Sequence, residues 1–384
     1  MIEIEEKFCS GIYPKRPIEI VRGKGSKVWD SNGREYIDCV GGFGVAIVGH
    51  CNDKVIEAIC SQAKRLITCP GIFYNDTRAK LLQLIAEITP KELSKTFLSN
   101  SGTEAVECAL KIARKYTGKK EFIAMKRGFH GRTMGSLSAT WKSKYKKSFE
   151  PLVPGFKHAV FNDLDSVQSL INDNTAAIIV EPIQGEGGVY IADRDFVRGL
   201  REICDDKDIL LIFDEVQTGF GRTGKMFALE HYNVTPDILC IGKGMAGGLP
   251  VGATVAKPEI FNSLSKGEHG STFGGNPLVA AAAVASINYI IRNNLPEKAR
   301  VKGDYFIQKL RKIESSIIRE VRGIGLMIGI ELRLPAKKYI LEALKRGVLV
   351  HSSGINILRL LPPLVISYEE LDKVVEVLKV VLCQ

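Results

Sequence analysis

Short apolar runs alternate along this chain with longer stretches in which apolar positions recur at helical spacing. An apolar run too short for a helix marks a strand buried on both faces, and the periodic stretches are the helices that cover it. Thr96–Ser99, Glu121–Met125, Ala176–Val180, Ile209–Asp214 and Asp237–Gly242 are such runs, with helices expected over 105–116 and 195–206. The alternation predicts an α/β fold built on a mostly parallel sheet.

The two ends read differently. Residues up to about 45 are strand-rich, with a hairpin in which Lys27–Asp30 and Arg34–Asp38 flank an Asn32-Gly33 turn. Helices are expected from Asp53 to about Ile67 and from Thr77 to before Pro90. After Pro277 the Ala-rich stretch Leu278–Ile291 predicts a long buried helix. Helices near 297–315 and 336–346, strands within 322–330 and 357–360, and an amphipathic helix over 368–382 complete a smaller α+β unit.

Two of the buried runs end in a polar residue. Asp214 closes one and Lys243 follows another, so both emerge at a carboxyl edge, where open α/β sheets place their ligands. Lys243 is bracketed by Gly242, Gly244, Gly247 and Gly248, which let the backbone turn sharply and a flat ligand approach. A lysine amine can condense with an aldehyde, and a buried aspartate can keep a pyridine nitrogen protonated so that the ring accepts electrons. This is the pattern of a pyridoxal phosphate enzyme. Ser101 and Glu104 form a capping box at a helix start, leaving the N–H groups of Gly102 and Thr103 for a phosphate. Any one of these features is ordinary, whereas their combination is specific.

Composition narrows the classes. The chain has 384 residues, 45% hydrophobic and 25% charged, the balance of a globular protein with a sizeable core. The acidic start lacks the order of a signal peptide, and no apolar run nears bilayer-spanning length, so a cytoplasmic protein without a membrane role is expected. Nine cysteines with no Cys-x-x-Cys pair indicate neither a disulfide framework nor a metal site. The net charge of +10 permits an acidic partner, but no nucleic-acid motif accompanies it. Gly219-Phe-Gly-Arg-Thr-Gly224 fits a dinucleotide fingerprint; Asp214 and Glu215 ahead of it would repel a pyrophosphate, and Asp237 opens its strand instead of closing it.

Ser99–Ala105, Gly128-Phe-His-Gly-Arg-Thr133, Val180–Gly188, Phe213–Gly224, Lys243 and Gly270–Pro277 together resemble the class-III (ω-amino acid) aminotransferases of the acetylornithine and ornithine type, over nearly the whole length. The resemblance implies a fold type I enzyme that uses pyridoxal 5′-phosphate. It implies a large domain over 46–285 with a mostly parallel seven-stranded sheet, and a small α+β domain from 1–45 and 286–384. It also implies a homodimer whose active site is shared across the interface. Lys243 and Asp214 are then catalytic, and Ser101, Gly102, Thr103, Phe129, Glu215, Val216 and Gln217 contact the cofactor, Phe129 by stacking on its ring. Thr272 would donate to the neighbouring subunit's cofactor phosphate, and Glu181 would support this region.

For the substrate, the resemblance assigns Arg132 to its carboxylate and places Ser271 and Phe43 in the pocket. Phe43 stands where relatives that take free ornithine have a tyrosine. Glu186 would mask Arg359 while the ω-amino substrate is bound and swing aside for glutamate. Asp38–Val45, Met134–Ser138 and Arg322–Met327 resemble in particular the aminotransferase of carrier-protein-dependent lysine biosynthesis, which in some lineages also serves arginine synthesis. The expected reaction moves the terminal amine of lysine or ornithine, linked to an acidic amino-group carrier protein, to 2-oxoglutarate, giving glutamate. N-acetylornithine aminotransferase is the near alternative, and a 4-aminobutyrate aminotransferase or semialdehyde aminomutase the distant one. The basic run Lys142–Lys147 is expected at the active-site mouth.

Overall fold

In the computed structural model, which describes residues 1–383, seven strands form the central sheet. They are β1 (Lys95–Ser99), β2 (Glu121–Met125), β3 (Phe156–Ala159), β4 (Thr175–Val180), β5 (Leu210–Asp214), β6 (Ile238–Gly242) and β7 (Gly252–Ala256), in the spatial order β1-β7-β6-β5-β4-β2-β3. Only β7 runs against the others, antiparallel to both β6 and β1.

Every residue of β4, β5 and β6 is buried, as expected of strands covered on both faces. Successive side chains divide between two clusters. Leu210, Ile212, Ala177 and Ile179 pack with α1 (Gly102–Thr117), while Leu211, Phe213, Ile178 and Val180 pack with α2 (Arg194–Lys207) on the opposite face. Fully burying one such Ile or Phe stabilises the fold by about 1.5–3 kcal/mol, so the centre of the sheet is a rigid platform for whatever its ends carry. The long helix α3 (Pro277–Arg292) packs against helices Asp53–Ala63 and Asp76–Ile88, the first of which ends short of the expected Ile67.

The chain ends meet in one sheet, where Val348–Leu349 pairs parallel with Glu35–Asp38, itself hairpin partner to Lys27–Asp30. Ahead of this hairpin lie strand Ile20–Lys24 and a helix, Ile2–Phe8, with no buried residue, in place of uniform strand. The strand signal within 322–330 proves to be a hairpin, Ile318–Ile324 with Met327–Leu332. It turns at Gly325, where φ is 55° and a Cβ would lie 2.5 Å from the Thr223 backbone, so only glycine fits. Two strands of the central sheet left no clear sequence pattern. The edge strand β3 is only partly buried and carries Lys157 and His158, and β7 is made of small residues. No helix among the described residues is long and apolar enough to cross a membrane, and none of their acidic, His and Cys groups forms a metal cluster.

Candidate active site

β5 and β6 lie side by side and parallel, with Asp214 level with Cys240, so Asp214 and the residue just past β6, Lys243, reach the same sheet edge. Asp214 is 5% exposed. Its Oδ1 accepts the Val216 N–H at 3.1 Å, and its Oδ2 lies 2.8 Å from Nδ1 of the fully buried His130. Burial opposes a charge on His130, but the hydrogen bond and negative charge of Asp214 outweigh it and raise the imidazole pKa. His130 lies inside the Gly128–Thr133 motif, yet sequence reasoning did not single it out. Its partner is a residue on a distant strand, so only the motif hinted at it.

Lys243 adopts a left-handed conformation with φ 42°, unusual for a residue with a side chain, on a turn closed by Gly247 at φ 60°. Gly244 lets this turn press on Ile47, which a Cβ would approach to 3.0 Å. The Lys243 side chain is only partly covered, but the protein around it is dense, and burial pushes its pKa down to about 8. The positive charge of Arg359 acts in the same direction, against Asp214, Glu181 and Glu186.

The third group is the start of α1. Ser101 caps it, its Oγ accepting the Glu104 N–H. The Glu104 carboxylate accepts from the N–H of Asn100 at 2.8 Å and the Ser101 hydroxyl at 2.9 Å, so the capping box closes one residue earlier than expected. The N–H groups of Gly102 and Thr103 have no intrahelical acceptor and form an anion cradle. A Cβ on Gly102 would fall 2.5 Å from Val216, so this glycine lets the cradle close on the residues that follow Asp214. Thr103 Oγ1 bonds Thr133 and Ser136, tying the cradle to the Arg132 segment. Ser271 Oγ accepts from Asn100 at 3.1 Å, and Thr272 beside it is exposed. A phosphate cradle, a buried carboxylate for a ring nitrogen and a desolvated amine for an aldehyde together fit pyridoxal 5′-phosphate.

A second cluster faces this one. Arg359, on strand Ile357–Leu360, is 2% exposed and pairs through Nη1 with Glu186 Oε2 at 3.0 Å. Gln217 Oε1 lies 3.5 Å from the same Nη1 and packs so tightly on Gly185 that a Cβ there would meet it at 1.9 Å. Glu181, next after β4, accepts from the N–H groups of Phe129 (2.8 Å) and Gly185 (3.0 Å) and so fixes both. Burial lifts its pKa to about 7, with the His130 charge opposing.

Arg132 is exposed and lies over the rings of Phe129 and Tyr145, at 5.4 and 4.0 Å. Phe43, left-handed at φ 61° and 47% exposed, packs edge-on to His351 at 4.9 Å. The run Lys142–Lys147, expected at the mouth for its charge, brings Lys142 to the Glu186 carbonyl at 3.2 Å and Tyr145 to the Glu186 carboxylate, whereas His351 was not foreseen as a site residue.

One expected cofactor contact is corrected. The Glu215 carboxylate is fully buried and turned away, accepting from the N–H groups of Ala228 and Leu229 and from Thr218. Its role is to hold the loop after β5. The dinucleotide reading also fails, because Gly219–Gly224 opens no helix and Asp237 is spent on Arg201, Lys257 and the Leu211 N–H.

Residues 12–382 match the family model described as aminotransferase class-III. The chain is 50% identical, over 97% of its length and 96% of the relative's, to an acetylornithine aminotransferase of Methanopyrus kandleri. It is 47% identical, over 97% of its length and 87% of the relative's, to a LysW-aminoadipate semialdehyde transaminase of Deinococcus radiodurans. Among solved structures, ornithine aminotransferase from Toxoplasma gondii superposes with a TM-score of 0.95 at 34% identity, covering 99% of this chain and 94% of that one.

Proposed function

We propose that this chain, which belongs to the class-III aminotransferases, moves the terminal amino group of an Nα-blocked diamino acid to 2-oxoglutarate, releasing a semialdehyde and glutamate. It is a pyridoxal 5′-phosphate-dependent aminotransferase of fold type I. When bound, the cofactor supplies an aldehyde that takes up the amine and a ring that withdraws electrons. Asp214, braced by His130 and Val216, would keep negative charge at the ring nitrogen, and Ser101, Gly102 and Thr103 would hold the phosphate. Burial lowers the Lys243 pKa to about 8, so far more of its amine is neutral near neutrality than for an exposed lysine, and its Nζ can take a proton from the substrate carbon and return it. Phe129 would cover the ring, and Arg132, which lies over Phe129, would hold the substrate's carboxylate away from the reacting amine.

The observation that carries the reading is the closed Glu186–Arg359 pair beside Lys243. A buried arginine masked by a movable carboxylate suits an enzyme that must accept glutamate's extra carboxylate in one half-reaction and not in the other. Glu186→Ala should leave Arg359 unmasked and shift the ratio of kcat/KM values toward glutamate by about tenfold or more. Steady-state kinetics with glutamate and with N-acetylornithine check this; an unchanged ratio means that the pair is a permanent structural bridge.

The blocking group is proposed to be a small acidic carrier protein. Phe43 stands exposed at the mouth, and Lys144 and Lys147 are exposed within two residues of Tyr145, whose hydroxyl reaches the gate. Opposite charge should steer such a carrier, so kcat/KM for carrier-linked lysine or ornithine should fall roughly tenfold between low and physiological ionic strength. Neutralising Lys144, Lys146 and Lys147 together should flatten that dependence, while free N-acetylornithine should respond much less. Equal salt sensitivity, or better turnover of N-acetylornithine, would favour the second reading, an acetylornithine aminotransferase, which the name of the Methanopyrus relative supports.

A second copy of the chain is proposed to complete the site. Ile67, Ile72, Phe73, Tyr74 and Phe273 are exposed large apolar residues around the Thr272 loop. Arg78 binds the two loops together through the carbonyls of Cys69, Phe73 and Gly275. An apolar patch of this kind beside a site is the mark of an interface.

A further inference from the structure

We propose that Tyr145 is a positioning residue that latches Glu186 over Arg359 and thereby sets the balance between the two amino donors, an inference that rests on the reading of Glu186 as a mask. Glu186 is anchored by its main chain, since its carbonyl accepts from Ser353 Oγ at 2.5 Å and from Lys142 Nζ at 3.2 Å. Gly185 and Gly187 on either side are packed too tightly for a Cβ, with approaches of 1.9 Å to Gln217 and 2.8 Å to the Arg127 carbonyl. With the backbone held from two other elements, unmasking Arg359 is a rotation of the Glu186 side chain alone. Two groups hold that side chain closed: Arg359 on Oε2 at 3.0 Å, and the Tyr145 hydroxyl on Oε1 at 3.4 Å.

The same tyrosine touches the other carboxylate-reading position. Its ring lies under the Arg132 guanidinium at 4.0 Å and stands edge-on to Phe129 at 6.0 Å and 83°. Burial, then the negative charge of Glu186, raise the phenol pKa, so the hydroxyl remains a donor to the mask. Tyr145 comes from the short helix Ser143–Lys146, away from the Glu186 turn and from the Arg359 strand, so it can hold the gate without itself contacting the reacting atoms.

Tyr145→Phe keeps the ring contacts and removes only the hydroxyl. Because the bond is long, the expected change is modest: kcat/KM for glutamate rises about three- to tenfold, while that for N-acetylornithine changes less than about twofold. In a Glu186→Ala background the same substitution should add nothing, because the group it acts through is gone. Equal loss for both substrates, or an equal effect of Tyr145→Phe with and without Glu186, would show a structural role and overturn the proposal. A Glu186→Ala enzyme that shifts preference beside a Tyr145→Phe enzyme that does not would overturn the latch and leave the mask standing. If Glu186→Ala shifts nothing, the mask falls and the latch with it.

Discussion

Lys243→Ala should reduce turnover by at least about 10⁴-fold, because one amine both links to the cofactor's aldehyde and carries the proton. The variant should still fold, since Lys243 sits on a glycine-bracketed turn and its replacement relieves the burial of an amine. It should still bind pyridoxal 5′-phosphate through the Gly102–Thr103 cradle and Asp214, but borohydride should no longer fix the cofactor to the chain. Single-turnover kinetics with glutamate, together with a thermal melt, separate loss of chemistry from loss of fold. Wild-type turnover would overturn the assignment. In the wild-type apo-protein the sign of the pH effect follows from the depressed pKa. The amine is protonated below about pH 8 and free above it, so covalent attachment of cofactor should accelerate as pH rises through 8. For an exposed lysine that rise would come only near pH 10.4.

Asp214→Asn should lower the rate of both half-reactions by about 10³-fold, because an amide cannot keep the ring nitrogen protonated and the ring becomes a poor electron acceptor. Asparagine preserves the shape of the site: its Oδ1 can still accept from the Val216 N–H, and its amide N–H can donate to Nδ1 of a neutral His130, so the loss should appear in kcat with little change in thermal stability. Asp214→Ala should lose activity and also about 1–3 kcal/mol of stability, since it strands the buried His130 Nδ1 without a partner. Stopped-flow rates for each half-reaction, measured beside thermal melts of both variants, distinguish these effects. A change of less than about threefold in the asparagine variant would make Asp214 a purely structural carboxylate.

Much of this site was legible because it is written locally. A strand buried on both faces needs consecutive apolar residues, so β4, β5 and β6 stand out, and with them the Asp214 and Lys243 that follow. A helix start needs a cap within a few residues, so Ser101 and Glu104 mark the cradle even though the box closes on Asn100. In the central sheet, β3 and β7 were missed for the converse reason. A partly buried edge strand can carry Lys157 and His158, and small residues in β7 give no apolar contrast.

From its own residues the sequence determines the alternation of strand and helix, the carboxylate and amine at one sheet edge, and a helix start fit for phosphate. The tertiary structure alone decides which side chains meet across elements. His130 reaches Asp214 from another loop, Tyr145 reaches Glu186, and His351 packs on Phe43 from the far end of the chain. Glu215, adjacent to Asp214 in sequence, turns instead to Ala228 and Leu229. Strand and helix follow from the spacing of neighbouring residues, whereas these contacts depend on strand register, on crossover order and on the pleat that sends adjacent side chains to opposite faces.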